Sequence, residues 1–211
     1  MNPVLRRIAT PPAMLLKCDT IAAAAARNGA ALGRVLNVGS KNVRIGEDCV
    51  NLDIVPGPGV DVVGDAHDLT THFDRESFDT VVLSAVLQLC EDPDRVLAQA
   101  RDVLRPGGWL FLDAPFLQPY CYDGPDLWRW TEDGLRLLCA RHLTVIEISV
   151  SIPTVPALAF AVQAAARRAG NRYTGTVLAW TVSSILWPLR YLPLFDTRTA
   201  GAFLLVGRKP S

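Results

Sequence analysis

From Arg34 onward, short runs rich in β-branched and aromatic residues alternate with longer segments in which apolar positions recur every three or four residues. The short runs, 35–38, 50–54, 60–63, 78–84, 109–114, 143–150 and 202–206, read as strands. Strands separated by helices favour a mainly parallel sheet with helices laid over it. The clearest helix opens at Asp92-Pro93, a capping acid followed by a proline at the first helical position. Its Val96, Leu97, Ala100, Val103 and Leu104 fall on one face, and Arg105-Pro106-Gly107-Gly108 is expected to stop it. A second opens at Thr131, with Glu132 and Asp133 where the helix dipole favours acids and Leu135, Leu137 and Leu138 available for burial. Residues 21–26, mostly alanine, predict with Met14, Leu15 and Leu16 an N-terminal helix packed on the domain.

Between the sixth and seventh expected strands lie residues 152–199, far more chain than a hairpin connection needs, so an accessory helical insert is expected there. The chain then divides into an N-terminal helical extension (1–33), a core (34–151 and 200–211) and the insert (152–199). Within the insert, 174–195 is strongly apolar, with Trp180, Ile185, Leu186, Trp187, Leu192 and Phe195. Pro188, Arg190 and Pro193 interrupt it before it reaches the roughly 20 clean residues of a spanning helix. It reads as a lid, as a homodimer interface, or as an element in peripheral contact with a membrane, where Trp187, Tyr191 and Arg190 suit the interface.

A chain of 211 residues suits one domain with a sizeable core. Lys plus Arg and Asp plus Glu number 21 each, leaving no net charge to grip phosphates, and this argues against a nucleic-acid partner. Five cysteines at 18, 49, 90, 121 and 139 are scattered with no C-x-x-C pair, so neither a disulfide framework nor a metal site is expected. A reducing, cytoplasmic setting follows, peripheral at the inner face of the membrane if the insert docks there. Arg6 and Arg7 lack an apolar run before Pro11-Pro12, so no secretory signal is read.

The chemistry gathers at the expected strand ends. Val35-Leu36-Asn37-Val38-Gly39-Ser40 is a strand ending in a glycine turn, and Asp53, followed by Ile54, ends the second strand. An acid there suits the two hydroxyls of a ribose lying across the carboxyl ends of the strands. Asp65-Ala66-His67 follows the third strand, where the acid suits an exocyclic adenine amine, and Ser84 ends the fourth. Each acid is also explained as a turn cap, and Gly39 as a tight turn alone.

Taken in order, these motifs, with Phe78-Asp79 through Phe116 and the Pro106-Gly107-Gly108 turn, resemble the class I S-adenosylmethionine-dependent methyltransferases over residues 34–150, with 202–208 as the last strand. Residues 115–138 look like a bacterial branch that accompanies polysaccharide or glycolipid biosynthesis. The resemblance implies an α/β, Rossmann-like, seven-stranded, mainly parallel sheet with helices on both faces and the seventh strand antiparallel. It implies S-adenosylmethionine as cofactor, held by Asn37, Gly39, Ser40, Asp53, Ile54, Asp65, Ala66 and Ser84. The implied reaction is methyl transfer to a small-molecule or lipid-linked acceptor such as a sugar hydroxyl.

Departures from the family pattern set the alternative. The first motif has Asn37 in place of an acid and Gly39-Ser40-Lys41 in place of glycine-x-glycine, and Gln88 and Cys121 stand where similar sequences carry histidine. His67, Tyr120 and Asp126 remain as the residues expected to act on a proton of the acceptor, with Gln88, Trp128 and Arg129 lining its pocket. The rival expectation is a non-catalytic binding or regulatory member of the fold. The crossover from Gly39 to Cys49 has room for no more than a single helical turn.

Overall fold

The computed structural model describes residues 19–40, 43–168, 172–186, 188 and 197–211. Strands β1 (Val35–Val38), β2 (Cys49–Asp53), β3 (Val62–Val63), β4 (Phe78–Ser84), β5 (Leu104–Pro115), β6 (Thr144–Ile152) and β7 (Ala202–Arg208) form one sheet in the order β3-β2-β1-β4-β5-β7-β6. The β1–β5 pairings are parallel, while β7 runs antiparallel to both β5 and β6. This is the expected seven-stranded topology, and every parallel strand delivers its carboxyl end to the same edge.

Alternation along the strands feeds two cores. Leu36, Val38, Leu52, Val81, Leu83, Leu110, Leu112 and Leu205 pack on one face beneath α2 (Pro93–Val103) and α3 (Glu132–Cys139). Val35, Cys49, Val82, Phe111, Leu204 and Val206 point the other way, against Ala24 and Ala25 of α1 (Ile21–Arg27). These three helices begin on side-chain caps, the second and third of them expected from the sequence: Thr20 accepts from Ala23 N, Asp92 from Arg95 N and Thr131 from Gly134 N. The apolar face of α2 is wholly buried, each valine or leucine contributing about 1.5–3 kcal/mol relative to exposure. On α3, Leu135 and Cys139 take the buried positions, and Leu137, expected inside, faces solvent. Asp19 binds Arg27 and Ser149, and Arg27 with Asn28 binds Glu147, fastening α1 to β6.

Two elements differ from expectation. The third strand shrinks to Val62–Val63 because Val60 turns back to hydrogen-bond Gly57 O. Arg105-Pro106-Gly107-Gly108 does not lie between helix and strand: β5 already begins at Leu104, opposite Phe78, and the glycines form an irregularity within it, Gly107 at φ 74°. Residues 43–48 of the β1–β2 crossover contain no helical turn. There, Ile45 packs on the second core, and the Arg44 guanidinium bonds Cys49 O and pairs with Asp61.

The segment between β6 and β7 holds two helices, α4 (Thr154–Arg168) and α5 (Arg172–Leu186), packed on each other. Thr154 Oγ1 donates to Thr199 O at 2.7 Å and Gly201 N to Ile152 O at 2.7 Å, closing the base of this insert. Met14, Leu15, Leu16, Lys41, Trp187, Arg190, Tyr191, Leu192, Pro193 and Phe195 lie outside the described residues.

Candidate functional site

The turn after β1 depends on Gly39. Its φ is 65°, and a Cβ there would overlap Cγ2 of Val86, so only glycine fits. Gly39 N and Ser40 N both donate to Leu52 O, which draws the turn against the end of β2. The Ser40 hydroxyl is buried with no hydrogen-bond partner among the described residues.

Asn37 is buried, and its amide is already occupied: Nδ2 donates to Val43 O at 2.7 Å and to Asn51 Oδ1 at 3.2 Å. Asn51, fully buried on β2, donates in turn to Gly59 O at 2.7 Å. These two amides tie the crossover loop and the loop after β2 to the sheet. Asn37 therefore holds the loop, a different task from the ligand contact expected of it. Asn51 escaped sequence reasoning, although a polar residue inside an apolar strand was its signal.

Asp53 ends β2 at the carboxyl edge, with Oδ1 accepting from Val55 N at 3.1 Å. Ile54 beside it is 65% exposed. Across the edge, Asp65 caps the 3-10 segment Ala66–Thr71. Partial burial by itself raises the Asp65 pKa, but hydrogen bonds from the His67 amide and ring outweigh it and hold the carboxyl below its ordinary value. Both bonds, at 2.9 and 2.6 Å, fall on Oδ1. Ala66 is buried, and Ser84 is half-buried at the end of β4, opposite Asp113.

The residues expected to act on protons fare unequally. His67 Nδ1 binds Asp65, and Nε2 accepts from Asp92 N at 3.3 Å. With both nitrogens occupied, His67 bridges two loops and has no lone pair to offer an acceptor. The Asp126 carboxylate has no exposed side-chain surface; it forms a fork with Arg129 and accepts from Cys121 N at 2.7 Å. The Arg129 guanidinium lowers the Asp126 pKa, against the effect of burial. An acid so held is a clasp for the loop 119–129 and a poor base. Arg129 also bonds Pro119 O and Trp128 O, so it serves the same clasp. Burial pushes up the Cys121 thiol pKa, which favours the neutral thiol.

Gln88 is buried beneath the edge, Nε2 donating to Ala85 O at 2.7 Å, while Oε1 has no partner. Its backbone carbonyl accepts from the Leu127 and Trp128 amides, and Trp128 Nε1 donates to Cys90 O at 2.9 Å. Trp128 stacks on Trp130 with ring centroids 5.8 Å apart. Gln88 and Trp128 thus anchor the loop that follows β5.

Tyr120 is different: it is exposed and lines a groove of about 1020 Å³ between residues 116–122 and α4. Leu158, Phe160 and Ala161 supply the α4 wall, and Tyr122, Arg129 and Arg168 the polar fringe. No carboxylate, imidazole, thiol or amine lines it among the described residues. Phe116, at its inner end, directly follows β5, the neighbour of β4 in the sheet. A smaller hollow of about 530 Å³ lies around Arg34, Asp79 and Arg105, where Asp79 is already bonded by the Arg34 amide and the Arg105 guanidinium.

Residues 23–112, from α1 into β5, match the family model described as a methyltransferase domain. A 95-residue stretch, 45% of this chain, is 35% identical to an uncharacterized 37.1 kDa protein in transposon TN4556 of Streptomyces fradiae, of which it spans 27%. The fold is similar to that of a 1,6-didemethyltoxoflavin-N1-methyltransferase of Burkholderia thailandensis, with TM-score 0.53 and 16% identity over 99% of this chain and 82% of that one. A methyltransferase of Thermotoga maritima gives TM-score 0.54 and 14% identity over 88% and 86% of the two chains. The [4+2]-cyclase SpnF gives 0.53 and 17% over 84% and 75%. The chain has the fold of the class I S-adenosylmethionine-dependent methyltransferases, and its residues 23–112 match the methyltransferase-domain model.

Proposed function

We propose that the chain binds S-adenosylmethionine across the carboxyl edge of β1–β4 and methylates a small or lipid-linked acceptor lying in the groove beside α4. The observation that carries this reading is the succession along one sheet edge of the Gly39 turn, Asp53, Asp65-Ala66 and Ser84, each ending or following successive strands. The residues present fit the nucleoside. The Asp53 carboxylate sits where ribose hydroxyls would lie, and the exposed Ile54 side chain offers an apolar surface for a flat base. Both bonds to Asp65 use Oδ1, so Oδ2 serves an exocyclic amine, and the small Ala66 gives the ring room. The orphaned Ser40 hydroxyl marks the methionine end.

When bound, the cofactor supplies an activated methyl on a sulfonium, so the protein's main contribution is alignment. Ser84 borders that end of the site, and the groove positions the acceptor from the β5 side. With His67 and Asp126 committed elsewhere, Tyr120 is the remaining residue of the three to hydrogen-bond an acceptor. A sugar hydroxyl would pass its proton through the exposed Tyr120 hydroxyl to bulk water as the methyl is transferred; an acceptor whose nucleophile is already anionic needs no base. Apolar walls with Arg168 at the fringe favour an amphiphile with an anionic group.

A second reading, binding without methyl transfer, is favoured by one observation: Asn37 replaces the family acid and its amide is spent on the loop. The fold's likeness to a cyclase shows that this architecture serves more than one chemistry. Incubating the protein with methyl-labelled S-adenosylmethionine and cell extract, then partitioning into chloroform and water, tests the main reading. Label is expected in the chloroform phase for a lipid-linked acceptor, dependent on Asp53. Absence, after residual cofactor is separated, of any labelled product in either phase that depends on the added protein overturns methyl transfer.

A further inference from the structure

The insert carries a charge pattern unlike the rest of the chain. From Ile148 to Phe195 the sequence has no aspartate or glutamate, yet it holds Arg167, Arg168, Arg172 and Arg190. Because Lys plus Arg equals Asp plus Glu over the whole chain, the balancing acids all lie outside this segment. Three of the arginines fall where α4 ends and α5 begins.

After Arg172, α5 contains no charged residue. One side packs on α4, and a helix apolar all round needs cover on its other side as well. That other side is open: Val177, Leu178 and Ile185 are 66%, 49% and 67% exposed, with Thr181 and Ser184 exposed between them. These positions follow the i, i+1, i+4, i+8 spacing of a single helix face. Leu158 of α4, also a wall of the groove, is exposed too.

Two kinds of partner can cover such a face, a second copy or a lipid surface, and charge decides between them. Arg167, Arg168 and Arg172 gather at the junction between the two helices, and neither helix carries an acid. The same hairpin of a second copy has no acid to offer these arginines, whereas anionic headgroups neutralise them. The length of α5 agrees: 15 residues rise about 22 Å, short of the roughly 30 Å hydrocarbon core. No helix among the described residues is long and apolar enough to cross a membrane.

We propose that the α4–α5 hairpin docks the protein on the surface of an anionic lipid bilayer, with α5 lying in the interface plane and its arginine-bearing end among the headgroups. Docking of this kind combines apolar insertion with electrostatic attraction. It does not depend on methyl transfer, and it sets the open side of the groove close to the lipid.

Sedimentation of the intact chain with vesicles tests it. Phosphatidylcholine vesicles containing phosphatidylglycerol should bind the protein at least tenfold more tightly than phosphatidylcholine alone, and the excess should vanish as salt rises from about 0.1 to about 0.5 M. Val177→Glu with Ile185→Glu should cut that binding at least tenfold. Leu137→Glu, an equally exposed change on α3, should leave it unaltered, and circular dichroism checks that each variant is folded. Equal binding to neutral vesicles, no binding, or retention of binding by the double variant overturns the proposal. So does light scattering that finds a dimer which the double variant splits while vesicles remain unbound.

Discussion

At the scale of single residues, the site is decided by which polar groups are already engaged. Asp126 illustrates the point. Its carboxylate is held in the charged form by Arg129, so its contribution to stability is present above the ordinary aspartate pKa of about 3.9 and is lost as pH falls through its lower folded value. Asp126→Asn is expected to cost about 1–3 kcal/mol in denaturant unfolding near neutral pH, with the gap to the unaltered protein closing in acid. A gap that persists below that range would place the stabilisation elsewhere. His67 and Asp126 were legible in the sequence as residues near the site, but not as residues already spoken for. Their partners, Asp92 N and the Arg129 fork, are set by how loops fold back, and residue spacing does not encode that. Gly39, by contrast, was readable from its strand-turn context, and Val86 supplies the reason only glycine fits.

At the scale of elements, most of the fold followed from periodicity and caps. Thr20, Asp92 and Thr131 cap the three helices that the sequence marked, and seven apolar runs became seven strands. The misjudged elements are those in which tertiary pairing outweighs local preference. The proline-glycine run joined β5 because Leu104 finds a partner in Phe78, and the third strand shortened where Val60 bonds Gly57 O. The Asn37 amide binds Val43 O in the β1–β2 crossover, and the Asn51 amide binds Gly59 O in the loop after β2. Asn51→Ala should therefore lower stability by about 1–3 kcal/mol, since it strands the Gly59 carbonyl and removes a partner of Asn37. Hydrogen exchange should show the loss concentrated in β1, β2 and their crossover; uniform loss across the sheet would contradict this account of the loop.

At the scale of the whole molecule, the proposed nucleoside site lies on the β1–β3 side of the carboxyl edge and the proposed acceptor groove beyond β5, with the insert forming the far wall of that groove. The order of motifs gave away the first of these, because it is written strand by strand. The groove joins the loop after β5 to a helix some forty residues later, and no local pattern reveals such a meeting. The central claim is that the edge binds S-adenosylmethionine through Asp53 despite the altered methionine end. Isothermal calorimetry with S-adenosylhomocysteine measures this directly: the intact protein should bind it, and Asp53→Ala should weaken binding about tenfold or more, the 1.4 kcal/mol scale of a lost charge-assisted hydrogen bond. No heat at millimolar ligand, or an affinity unchanged by Asp53→Ala, would contradict it.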